Sequence, residues 1–184
     1  WRAKALKDQQ ISSMVESLGT LLRATLSSKK PLVTLDYEIG LAGSYMTIQK
    51  IRFEDRLLFH VECPEELGKA LILPLTIQPL LENAIRYGME EMMDTCEISI
   101  RTRKEGTLLI VEVSNEGSVF EDSLLEKLQD GTKNAHGFGI GLVNIHQRIQ
   151  MLFGESYGLS FKNQDEKAIA IITIPYKTEE DDYA

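Results

Sequence analysis

Leu73-Pro74-Leu75-Thr76-Ile77-Gln78-Pro79-Leu80-Leu81-Glu82-Asn83-Ala84-Ile85-Arg86-Tyr87-Gly88 decides the fold of this chain. The spacing predicts a helix over 73–87. Ile77, Leu80, Leu81, Ala84 and Ile85 make one continuous apolar face, which has to lie on a sheet. Asn83, Arg86 and Tyr87 stand at i, i+3 and i+4 and share a second face, with Glu82 beside it. An amide oxygen, a carboxylate and a guanidinium gathered in this way suit magnesium and phosphate. Mg²⁺ takes few protein oxygens and keeps water and phosphate as its other ligands, and Arg offers phosphate a fixed fork. The same residues also fit an ordinary solvated helix face closed by Gly88 as a cap.

Two more stretches carry chemistry. In His136-Gly137-Phe138-Gly139-Ile140-Gly141-Leu142, three alternating glycines precede an amphipathic helix, placing bare N–H groups and a helix N-terminus together, an arrangement that binds phosphate. The spacing is neither the dinucleotide-binding G-x-G-x-x-G nor a Walker A loop. A hinge capping a helix is the plain alternative. In Val113-Ser114-Asn115-Glu116-Gly117, at a strand end, Asn115 can hydrogen-bond a purine edge and Gly117 can admit a ring close to the backbone. Taken alone, that pattern is also an ordinary turn.

Outward from these, the chain of 184 residues is long enough for one domain with a short appendage, and 43% hydrophobic residues exclude a disordered chain. The net charge of −8 gives no general attraction for nucleic acid or anionic lipid. Residues 1–30 nevertheless hold six basic groups against two acids, and the end, 178–184, is an acidic tail. Two cysteines, Cys63 and Cys96, are too few for a disulfide scaffold and lack metal-ligand spacing. No stretch has the roughly 20 apolar residues of a membrane span. The chain opens on Trp1 inside a helical pattern, as a piece of a longer protein would.

Ile11, Met14, Val15, Leu18 and Leu22 predict an amphipathic first helix, broken at Ser28–Pro31. A second helix follows, N-capped by Thr34, with Asp36 and Glu38 in its dipole-favoured first turn and Leu35, Ile39, Ala42, Met46 and Phe53 as a sparse apolar stripe. Leu57–Cys63 reads as a strand, and 96–103 and 107–114 as a hairpin across Lys104-Glu105-Gly106. A short polar helix is expected over 121–129, a loop over 130–136, and a helix over 140–153 with Leu142, Ile145, Ile149 and Leu152 inward. Strands over 157–163 and 168–175 complete the pattern. The whole predicts an α+β fold: a two-layer α/β sandwich with a mixed, mostly antiparallel sheet, preceded by helices.

In combination the three motifs are far more specific than singly. Their order and spacing resemble the N, G1 and G2 boxes of the GHKL (Bergerat) ATP-binding fold. The finer resemblance is to sensor histidine kinases of the LytS/YesM type. It rests on Tyr45-Met46-Thr47-Ile48-Gln49-Lys50-Ile51-Arg52-Phe53, on 73–85, and on Gly139-Ile140-Gly141-Leu142-Val143-Asn144-Ile145 followed by Arg148 and Phe153-Gly154, and it covers nearly the whole chain.

The resemblance implies that residues 1–54 are the end of the dimerisation and phosphotransfer helices with a connecting helix, and that 55–177 are the ATP-binding catalytic domain. It implies ATP and Mg²⁺ as cofactors. Asn83 would hold the metal and Glu82 would act as the base for the acceptor histidine. Arg86 and Tyr87 would contact phosphate, and Asn115 and Gly117 the adenine. Gly137, Gly139, Gly141 and Leu142 would frame the triphosphate, with a lid over about 131–136. Implied partners are a response regulator and a second copy in the full-length protein, with no membrane contact by this piece itself. The setting would be the cytoplasmic side of a bacterial plasma-membrane protein.

Departures from the family accompany the match. Asn115 stands where Asp is usual. Val119 stands where a second glycine is common, and Lys167-Ala168 replaces Gly-Thr. The acceptor His-Phe-Leu/Phe-x-Asn motif is absent, so Trp1–Leu6 are expected to end its helix and Gln9–Leu26 to form the next. His60 and His146 read as structural, and His136 borders the lid. The alternative function is a regulatory GHKL module that holds nucleotide with weak or no kinase activity. An anti-sigma-factor serine kinase shares the ATP fold but does not fit the two leading helices.

Overall fold

The computed structural model describes residues 2–27, 30–90, 95–120 and 140–179. Helix α1 spans Arg2–Ser27, unbroken, so the expected division between Leu6 and Gln9 is absent; Lys7 and Asp8 include no helix breaker. Strand β1, Val33–Thr34, leads into α2, Leu35–Phe53, whose N-cap is Thr34: its hydroxyl accepts the Tyr37 N–H at 3.3 Å. Leu35, Ala42 and Met46 are buried along α2, with Ile39 and Phe53 packed at the margin. The partly buried Met14, Ser17 and Leu21 and the buried Ala24 form one stripe of α1. Ile11, Val15, Leu18 and Leu22 are exposed, so the apolar stripe legible in the sequence is uncovered in the single chain.

Five strands make the main sheet: β2 (Leu57–Glu62), β4 (Cys96–Glu105), β5 (Leu108–Glu116), β6 (Gly158–Gln164) and β7 (Lys167–Pro175). Their spatial order is β2-β4-β5-β7-β6, with β2 parallel to β4 and the other pairs antiparallel. The β4–β5 turn falls at Gly106-Thr107, one step later than the sequence suggests, because Gly106 takes the left-handed conformation at φ +60°. A small pair, β1 with β3 (Leu71–Ile72), lies apart from it.

Helices α3 (Gln78–Ile85) and α4 (Ile140–Phe153) cover one face of the sheet. Alternation is clear on β7: Ala168, Ala170, Ile172 and Ile174 are buried beneath the helices. The opposite face is polar, with Arg101 on Glu62 at 2.7 Å, Ser99 on Ser114 at 2.8 Å, and Arg103 and Lys162 both on Glu112 at 3.0 and 3.3 Å. This is the two-layer α+β sandwich preceded by helices.

Two expectations need correcting. The helix predicted over 73–87 starts at Gln78: Leu71–Ile72 pair as a strand, and Leu75 at φ +58° reverses the chain between Pro74 and Pro79. Leu152 is exposed, since α4 buries Leu142, Ile145 and Ile149 and ends with Phe153 as its packed residue. The helix expected over 121–129, the loop over 130–136 and residues 180–184 of the acidic tail lie outside the described residues. So do His136, Gly137 and Gly139.

Candidate functional site

The site is organised around the start of α3. Glu38, 2% exposed on α2, accepts three backbone N–H groups ahead of α3: Leu75 at 2.7 Å, Thr76 at 2.9 Å and Ile77 at 3.2 Å. The Thr76 hydroxyl donates to Leu73 O at 2.7 Å, and Arg148 of α4 donates to Pro74 O at 3.1 Å. Burial pushes the Glu38 carboxyl up, opposed by the three N–H donors and the Arg148 charge. The left-handed Leu75 is a costly conformation for a residue with a side chain, and this carboxylate holds it. Read locally, Glu38 has no role beyond complementing the helix dipole. The signal was its register: 35, 38, 42 and 46 fall on one helical stripe, so an acid there had to be buried.

Along α3 the five apolar residues named from the sequence are all buried. Glu82 is exposed and accepts the Gln78 side-chain amide at 2.8 Å. Asn83 is half-buried one position on. The helix then widens into a π-helical turn, Arg86–Glu90, which α-helical spacing does not foresee. Arg86 is exposed, its guanidinium carbon 5.5 Å from the Tyr87 ring centre, and Tyr87 is half-buried. Gly88 is a packing position within this turn, not a simple cap. A Cβ there would sit 2.5 Å from Cys96 Sγ and 3.3 Å from Asn115 Nδ2. The absence of a side chain brings the turn directly onto the ends of β4 and β5.

Asn115 is 3% exposed and lies between Ile98 on β4 and Ala168 on β7. Its Nδ2 donates to Ser118 Oγ at 2.7 Å and to Glu116 O at 3.2 Å. Gly117, at φ +81°, makes the turn that returns Ser118 to Asn115. Asn163, facing Ala168 from β6, grips Phe120 through both backbone groups at 2.8 and 2.9 Å, and Phe120 packs edge-on against Phe161. Lys167 pairs with Glu116 at 3.0 Å on the far side of the sheet.

From α4, Gly141 lies against α3: a Cβ there would be 3.5 Å from the Pro79 Cβ, and Leu142 is buried. His146 is buried too, and its Nδ1 accepts the Leu159 N–H at 3.0 Å. A Cβ on the facing Gly158, at φ +146°, would come within 2.6 Å of that nitrogen. Burial pushes the imidazole below its ordinary 6.5. The unfolded chain therefore binds the proton more readily, and stability contributed by neutral His146 is present above about pH 6.5 and lost as pH falls through its folded value. Comparing urea midpoints at neutral and acid pH, native protein should lose more stability than His146→Asn, which keeps an acceptor without a titrating ring. Equal losses would remove His146 from that role.

Thus the π turn after α3 packs at Gly88 beside Cys96 and Asn115 at the ends of β4 and β5, and Gly141 of α4 lies against Pro79 of α3. An amide oxygen is a hard donor suited to Mg²⁺, an exposed guanidinium suits phosphate, and a buried amide beside a left-handed glycine suits a flat base, so Asn83, Arg86, Asn115 and Gly117 fit Mg-ATP. Among the described residues no cluster of three His, Cys, Asp or Glu side chains could hold a metal, and both cysteines are free. His60 is exposed on the polar face of the sheet, away from α3. No helix among the described residues is long and apolar enough to cross a membrane.

This chain belongs to the histidine kinase-, DNA gyrase B- and HSP90-like ATPase family, whose model matches residues 68–178, and a histidine kinase model matches residues 1–57. Within that family its relatives are sensor histidine kinases of the LytS/YesM type. Sensor histidine kinase YesM of Bacillus subtilis is 43% identical over 180 residues, 97% of this chain and 30% of YesM. BtsS of Escherichia coli strain K12 is 31% identical over 172 residues, 93% of this chain and 29% of BtsS. The chain thus spans about three-tenths of the length of these relatives. The catalytic domain of the histidine kinase ThkA superposes with a TM-score of 0.61 at 19% identity, covering 79% of this chain and 94% of that one. Histidine kinase AdeS of Acinetobacter baumannii gives 0.51 at 19% identity, covering 96% and 84%. At this identity the likeness shows the fold alone. ThkA has also been solved in complex with the response regulator protein TrrA.

Proposed function

We propose that the chain is the catalytic part of a two-component sensor histidine kinase, which binds Mg-ATP and passes the γ-phosphoryl group to a histidine on an upstream helix. The observation that carries this is the packing of Gly88 on Cys96 and Asn115, which sets the helix bearing Glu82 and Asn83 against the strand end bearing Asn115. Residues 1–54 form the dimerisation and connecting helices, and 55–177 the catalytic domain. Asn115 and Gly117 receive the adenine. Arg86, Tyr87 and the glycines 137, 139 and 141, with Leu142, position the phosphates.

Asn83 supplies a metal oxygen. A Mg²⁺ ion held there would supply charge neutralisation to the phosphates. Glu82 accepts the proton from the acceptor imidazole as its nitrogen bonds to phosphorus and ADP departs with the bridging oxygen. The exposed stripe Ile11, Val15, Leu18 and Leu22 on α1 supports pairing with a second copy. A response regulator receives the phosphoryl group, and the chain works on the cytoplasmic side of a bacterial plasma membrane.

The test is ATP titration with and without Mg²⁺. Asn83→Ala should lose the Mg-dependent part of the affinity while the fold persists, because the side chain is only half-buried and belongs to none of the sheet-facing positions. Unchanged Mg dependence would take Asn83 out of the site.

A further inference from the structure

We propose that Arg148 is a positioning residue for phosphoryl transfer, holding α4 in register on α3 through the Pro74–Leu75 peptide, an inference that rests on the function proposed above. That peptide is gripped at both poles. Its N–H donates to Glu38 Oε1 of α2 at 2.7 Å, and its carbonyl accepts from Arg148 Nη2 of α4 at 3.1 Å. The positive end of the peptide dipole thus meets a carboxylate and the negative end a guanidinium, so each bond strengthens the other. Two helices distant in sequence are joined through one amide of the turn that leads into α3.

A second contact gives the join a direction. Gly141 and Arg148 stand at i and i+7, about two helical turns apart, so both fall on one side of α4. A Cβ on Gly141 would be 3.5 Å from the Pro79 Cβ. The start of α4 therefore rests on Pro79 and its later turn on Pro74, and α4 lies along 74–79 with chain directions opposed. The buried Leu142, Ile145 and Ile149 fix which face of α4 is inward, but apolar packing is non-directional. The Arg148 bond is directional, and it sets how far α4 has slid along α3. In the proposed site α4 brings Gly141 and Leu142 to the phosphates, while α3 brings Asn83 and Glu82. This register then sets the distance between the phosphates and the groups that act on them.

Arg148 is exposed, so its truncation opens no buried void and the fold should persist. The experiment uses the protein extended upstream to include an acceptor helix, assayed well below its urea midpoint. Arg148→Met, which keeps the stem and loses the donors, should lower kcat for transfer about tenfold or more and change the Mg-ATP Kd by less than about threefold, as misplacement of bound groups does. Arg148→Lys, which keeps a cationic donor for the single carbonyl, should recover most of the rate. A role in stability alone would move the urea midpoint and leave the transfer rate of the folded, nucleotide-saturated protein unchanged. A native kcat in Arg148→Met, or an Arg148→Lys protein no faster than Arg148→Met, overturns the Arg148 assignment while the nucleotide site stands. A native protein that binds no Mg-ATP overturns the proposed function and this inference together.

Discussion

Glu82→Gln should slow phosphoryl transfer to histidine by about 10²–10⁴-fold and leave ATP affinity nearly unchanged, as loss of the proposed general base would. The isosteric change is gentle on the fold, because Glu82 is exposed and its side chain accepts from the Gln78 amide at 2.8 Å. None of His60, His136 and His146 has the sequence context of the family's acceptor. The measurement therefore uses the protein extended upstream to include an acceptor helix, with radiolabelled ATP and separate acid and alkali treatment. Label on that helix, labile to acid and stable to alkali, is the expected product. Acid-stable label, or label on any of the three histidines of this chain, would point to another acceptor chemistry. A Glu82→Gln protein that transfers at the native rate would remove the base.

Glu38→Ala should cost about 3 kcal/mol or more in urea unfolding, among the largest losses from one side chain outside the apolar core. It orphans the N–H groups of Leu75, Thr76 and Ile77 and leaves a void between α2 and α3. Glu38→Gln should lie between, because it retains one acceptor but turns an NH₂ toward donors. Because its folded pKa is raised above 4.5, the native state holds the proton longer than the unfolded chain, and this part of the stability declines as pH rises through the folded value. If Ala and Gln unfold at the native midpoint, the three contacts are not holding the turn.

The residues proposed for the site were easier to read in the sequence than the contacts that support them. Helix 140–153 and the buried face Ile77, Leu80, Leu81, Ala84 and Ile85 were legible, because helical period and burial coincide there. The start of α3 was over-read, because apolar periodicity runs on through Pro74 while the backbone reverses at Leu75. Gly88 was legible only as a cap, since what it touches comes from strands distant in sequence. Asn115 was visible at a strand end, but its partner Ser118 depended on the conformation of Gly117. The long reach of Glu38 to 75–77 crosses an interval that no local pattern reports.

The strand order also bears on assembly in time. The β4–β5 and β6–β7 hairpins close short loops, with Glu105 opposite Leu108 and Gln164 opposite Lys167. Joining Leu57 to Cys96 in parallel, or Asn115 to Ala168 across the centre, closes much longer ones. Loop-closure entropy places such pairings late. Asn115, Ala168 and Asn163 therefore come into line only when two preformed ribbons zip together, and the end of the sheet that carries Asn115 is among the last parts of the chain to acquire its shape.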